Sequence, residues 1–106
     1  MKIFAHTLEC EIADEISTEI RFVIASARAS GNDLISLKTK EETLDDKISL
    51  ALIKNLKAIK KEGRIDFYAD KSAFFSGKAE ASYLLNKFPE ITEYIDQVGF
   101  LLIIKI

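Results

Sequence analysis

Tryptophan is absent from this chain, and proline, cysteine, histidine and methionine occur once each. One proline and four glycines, with no low-complexity tract and no internal repeat, argue against a disordered linker. A single cysteine cannot close a disulfide within the chain, so a reducing, cytoplasmic setting is expected. With one His and one Cys, a structural zinc site would need carboxylates for its remaining ligands, and no metal or cofactor is expected. Long apolar runs are missing too. The longest, Phe100–Ile104, is five residues, far short of a membrane span. The opening Met1-Lys2-Ile3-Phe4-Ala5-His6 lacks the apolar core of a signal peptide. An initiator methionine and a strand-like end fit a complete protein. Net charge is only −2, which removes any global attraction to nucleic acid.

What is present suits one domain. The 106 residues suffice for a single core over 1–106, and 48% of them are hydrophobic. The most apolar stretch is the last, Phe100–Ile106, F-L-L-I-I-K-I. Short, rich in isoleucine and without polar alternation, it is expected to be a strand buried on both faces. Burying both faces needs cover on both, so the rest of the chain should supply helices.

Lys2–Thr7 is expected to form the first strand. A first helix follows over roughly Leu8–Ser30, because Ile12, Ile16, Ile20, Val23, Ile24 and Ala27 recur at spacings of three and four. Thr7 is its candidate cap, Glu9, Glu11, Asp14 and Glu15 suit its positive end, and Gly31 is its stop. Leu34–Thr39 is expected to be the second strand. Capping patterns at Thr39 and Thr43 open a second helix that ends near Glu62, with Gly63 as its stop. Arg64–Ala69 alternates as a third strand. Phe74-Phe75 has no clear assignment. Ser76 is placed to cap a third helix over Gly77–Lys87, and Pro89 to open a fourth that Gly99 stops. The order β-α-β-α-β-α-α-β predicts an α/β domain with a four-stranded, mostly parallel sheet; an antiparallel edge strand is the variant left open.

In such a sheet, ligands gather beyond the carboxyl ends of the strands. That rim would hold His6, Cys10, Thr39, Asp70, Ser76, Gly77 and Lys78. His6 and Cys10 are the one nucleophile–base pairing on offer, with a thiol in a helix's first turn favoured as thiolate. The plainer reading is a small buried cysteine and a polar strand-end histidine. Ser76-Gly77-Lys78 resembles part of a phosphate loop, but Ser72 replaces its first glycine and Ala79 its magnesium-binding hydroxyl, so a helix cap explains it better. The carboxylate groups Glu41-Glu42, Asp45-Asp46 and Glu11/Glu15/Glu19 suit solvated helix faces, and no catalytic residue is assigned.

The second helix is more informative. At about 100° per residue, Leu44, Ile48, Ala51, Leu52, Leu56 and Ile59 form its core arc, and Asn55 falls within that arc. Lys54, Lys57, Lys60 and Lys61 occupy the opposite arc, with Leu50 and Ile53 among them. Those two aliphatics need cover from this chain, a second copy or a partner. Charge follows position: residues 34–63 carry seven basic and five acidic groups, whereas 1–33 carry three and six. The expected function is a small regulatory or binding module acting by protein–protein association, with Leu50, Ile53, Lys54, Lys57 and Lys61 as its interface. In a homodimer, Glu11, Glu15 and Glu19 would meet that basic face. The alternatives are nucleic-acid binding through Lys54, Lys57, Lys60, Lys61 and Arg64, and a small enzyme or anion-binding protein using the rim. No membrane partner is expected.

Overall fold

Strand and helix alternate through the first two thirds of the chain. A computed structural model describes residues 2–39, 46–68, 87–89 and 101–106. Its elements are β1 (Ile3–Leu8), a 3-10 turn (Ala13–Glu15), α1 (Ile16–Ala29), β2 (Leu34–Thr39), α2 (Asp46–Lys61), β3 (Asp66–Tyr68) and β4 (Leu101–Lys105). The expected third and fourth helices, and the stretch around Phe74-Phe75, lie outside the described residues.

The sheet runs in the order β1-β2-β4-β3. β1 and β2 are parallel, but β4 is antiparallel to both β2 and β3. The sheet is therefore mixed, not mostly parallel. Nor is the antiparallel strand at an edge: it sits in the middle. Burial explains why. Leu102, Ile103 and Ile104 are fully inaccessible, and only a central strand can hide consecutive residues on both faces.

Paired positions share a face, so Phe4, His6 and Leu8 line up with Ile35, Leu37, Leu102 and Ile104. Both helices cover this face. Ile16, Ile20, Val23, Ile24 and Ala27 of α1 and Ile48, Leu52, Leu56 and Ile59 of α2 close the core over it. The predicted core arcs therefore hold with two exceptions: Leu44 lies outside the described residues, and Ile12 precedes the helical turns and is exposed, because the chain is still extended there. Asn55, within the α2 arc, donates its amide to the Ala51 carbonyl at 2.8 Å. On the other face, Leu34, Ser36 and Ile103 are also buried. Tyr68 joins them in register and stacks edge-on against Phe88, 5.1 Å between ring centres.

The two predicted helix stops within the described residues hold; Gly99 lies outside them. Gly31 and Gly63 have φ of 70° and 76°, a conformation that strains any residue carrying a Cβ. At Gly31 the closing bonds are Gly31 N–H to Arg28 C=O (3.0 Å) and Asn32 N–H to Ala27 C=O (3.0 Å), a Schellman motif. The start of the first helix is different. Thr7 and Leu8 belong to β1, and helical structure begins only at Ala13. Residues 9–12 are held out of the helix by a tertiary contact described next.

Candidate functional site

Two places on the described surface combine exposed apolar groups with organised charge. The first lies where β1 ends and α1 passes over it. Glu19, in the first turn of α1, is half-buried and turns back toward the strand. Its Oε2 accepts from His6 Nε2–H at 2.7 Å and from the Glu9 N–H at 2.8 Å. Its Oε1 accepts from the Cys10 N–H at 2.7 Å. Burial works against the charge and is the largest single influence on this carboxyl. The three donors together outweigh it and hold the Glu19 pKa below its ordinary value. The carboxylate thus fastens the β1–α1 connection, while α1 itself has no side-chain cap at Glu15.

Beside this latch is a shallow recess lined by Glu9, Cys10, Glu15, Thr18, Glu19 and Phe22. Phe22 is 69% exposed and Ile12, in the connection, 56%. His6 and Cys10 do come near each other here, but they do not form a nucleophile–base pair. The imidazole is engaged by Glu19, and the Cys10 thiol donates to the Ile12 carbonyl. Cys10 also stands three residues before the first helical turn, so it gains nothing from a helix dipole. Thr39 is the last residue of β2, paired with Leu8. Asp70, Ser76, Gly77 and Lys78 lie outside the described residues. Of the predicted rim, the structure brings together only His6 and Cys10, and a carboxylate assigned to a solvated face is what joins them. Glu11 is not on α1 at all, and Glu19 is occupied, so the three-glutamate stripe expected on the first helix does not exist.

The second place is the outer face of α2. Leu50 is 62% exposed. Lys47, Lys54, Lys57 and Lys61 stand at i−3, i+4, i+7 and i+11 from it and are all exposed, a lysine stripe with Leu50 inside. Ile53 behaves differently: it is partly buried and packs against the main core, so the chain itself supplies its cover. Lys60 faces another way. Its ammonium pairs with Asp66 at 3.0 Å and lies 5.8 Å from the centre of the Phe67 ring. That lysine, with the Phe67 N–H and the Tyr68 hydroxyl, holds the Asp66 pKa below its ordinary value. No carboxylate among the described residues pairs with Lys54, Lys57 or Lys61.

No described helix is long and apolar enough to cross a membrane. Among the described residues, no group of three or more His, Cys, Asp or Glu side chains could hold a metal ion. The sequence reading placed Glu19 in a solvated stripe and Ile12 in the apolar arc of the first helix, and it did not single out Phe22. The available signal was positional: Glu19 stands next to Ile20 and four residues before Val23, on the flank of the apolar arc and not opposite it. Comparison with protein-family models, curated proteins and solved structures finds no match to this chain.

Proposed function

We propose that this chain is a small binding module that acts by protein–protein association through the outer face of α2. The observation that carries the reading is Leu50, a large aliphatic left 62% exposed in the middle of a lysine stripe. An apolar anchor ringed by cations suits a partner surface that offers an apolar pocket with acidic residues around it. Ile53 supports that face from beneath, and Lys54, Lys57 and Lys61 surround the anchor. Nucleic-acid binding by the same helix is the weaker reading. Lys60 is spent on Asp66, and no aromatic side chain stands among Lys54, Lys57 and Lys61 to stack a base.

The test compares wild type with Leu50→Asp in affinity capture, alongside a polarisation titration with mixed RNA and DNA oligomers. The reading expects proteins that wild type retains and Leu50→Asp loses, and a flat titration at low salt. Identical protein recovery by both forms would remove α2 as the interface. Salt-sensitive oligomer binding, lost on replacing Lys54 and Lys57 by alanine, would favour the nucleic-acid reading.

A further inference from the structure

Sheet edges need an explanation of their own. β3 is short, but β1 is six residues long, and its only strand partner is β2. Its outward row of N–H and C=O groups is therefore open among the described residues, a template for another strand. Proteins often blunt such an edge with charge or proline, yet β1, Ile3-Phe4-Ala5-His6-Thr7-Leu8, has neither a lysine nor a proline.

The helix above that edge is uncharged along its outer flank. Thr18, Phe22, Ala25 and Ala29 follow at i, i+4, i+7 and i+11, and all four are exposed. The other flank of α1 is engaged: Arg21 pairs with Glu62 at 3.2 Å, and Arg28 donates to the Arg64 carbonyl. Phe22 shares its recess with Glu9 and Cys10, which directly follow β1, so the open flank lies on the side of the open strand edge.

We propose that β1 and this flank of α1 bind a second copy of this chain across a two-fold axis. Antiparallel β1–β1 pairing would join the two sheets into one, with both sets of helices on the same side. Two features fit one axis. The first is level. The His6–Glu19 bond sets these two residues side by side. One residue back along β1, about 3.3 Å, matches about two residues along α1, so Ala5 stands level with about residue 21 or 22. The midpoint of the strand and the Phe22 side chain therefore fall near the same axis, as an isologous contact needs.

The second is spacing. α1 lies over β1 and β2 alike. With strands about 4.8 Å apart, a helix centred between them is about 4.8 Å from an axis beside β1. Its copy would then be about 10 Å away, which is a helix-packing distance that small residues such as Ala25 and Ala29 allow. The pairing goes beyond the α2 reading and does not rest on it. It would set two lysine faces on one side of the assembly, which raises the avidity for a partner with two acidic patches.

Light scattering over a range of concentrations tests this with the full chain and three variants. Wild type is expected near twice 11.9 kDa. Phe22→Asp and, independently, Ala25→Arg are expected to give monomers with an unchanged far-ultraviolet dichroism spectrum. Leu50→Asp is expected to remain dimeric. A monomeric wild type at the highest concentration reached overturns the proposal and leaves the α2 reading standing. So does a dimer that survives both α1 substitutions, or one that only Leu50→Asp dissolves. If Phe22→Asp does not fold, Ala25→Arg alone decides.

Discussion

Replacing Glu19 with glutamine should unfasten the β1–α1 connection. The carboxylate accepts three bonds: two at Oε2, from His6 and the Glu9 N–H, and one at Oε1, from the Cys10 N–H. A glutamine offers one acceptor oxygen and an amide that only donates. Placed for His6 and Glu9, it turns its N–H groups on the Cys10 N–H; placed for Cys10, it faces the other two donors. At least one donor therefore loses its partner, and the bonds that survive lose their charge. Hydrogen bonds to a charged group contribute roughly 1.5–3 kcal/mol against roughly 0.5–1.5 for neutral ones. Glu9 is exposed and Cys10 half-buried, so water replaces part of the loss. The net cost is about 2 kcal/mol at neutral pH. For a chain of this size that lowers Tm by roughly 10 °C. The assay is thermal unfolding by circular dichroism for both forms across pH. Because the folded pKa of Glu19 is depressed below the ordinary value of 4.5, its contribution is complete above that value and is lost as pH falls through the folded pKa. The gap between wild type and Glu19→Gln should therefore be full at neutral pH and shrink in acid. Equal Tm at neutral pH would refute the latch, and so would a gap undiminished at about pH 3.

Four further substitutions probe other parts of the structure. Gly31→Ala places a Cβ at φ 70°, where nothing crowds it but the backbone itself is strained, and should cost about 1–2 kcal/mol in urea unfolding. Ser49→Ala removes a buried hydroxyl that finds no partner among the described residues and adds helix propensity, so it should raise stability by about 0.5–1 kcal/mol in the same assay; a loss would mean the hydroxyl is bonded. Leu50→Asp should leave stability within about 0.5 kcal/mol of wild type, whereas Ile53→Asp should lower it by about 2 kcal/mol, because only Ile53 packs on the core; equal effects would contradict that division.

The features read correctly from the sequence are those fixed by local chemistry. Gly31 and Gly63 end their helices because the left-handed turn needs glycine, and that need is written at the position itself. The apolar arcs of both helices are periodic, and the Leu102–Ile104 run announces its burial in its composition. Strand order is another matter. Nothing within Leu101–Lys105 states that it inserts between β2 and β3 and reverses direction; that choice depends on which neighbours cover it. The start of α1 was hidden for a related reason. Glu9, Glu11, Asp14 and Glu15 have the composition of a first helical turn, but Glu19 draws the Glu9 and Cys10 amides to itself from ten and nine residues away in sequence and keeps that stretch extended. The same bond removes the glutamate from the solvated stripe and the histidine from any partnership with Cys10. Local pattern favoured one structure there, and a tertiary contact selected another.

Residue-resolved amide exchange along Ile3–Leu8 decides whether β1 is an open sheet edge that a second copy closes. An edge strand bonded on one side protects alternate amides and leaves the others open to solvent. That alternation is expected in the Phe22→Asp monomer, and protection of every β1 amide in wild type at concentrations where it is dimeric. Protection of every amide in both forms would show that something within the chain already covers β1. The same alternation in both forms would show that the edge is open and that no second copy closes it.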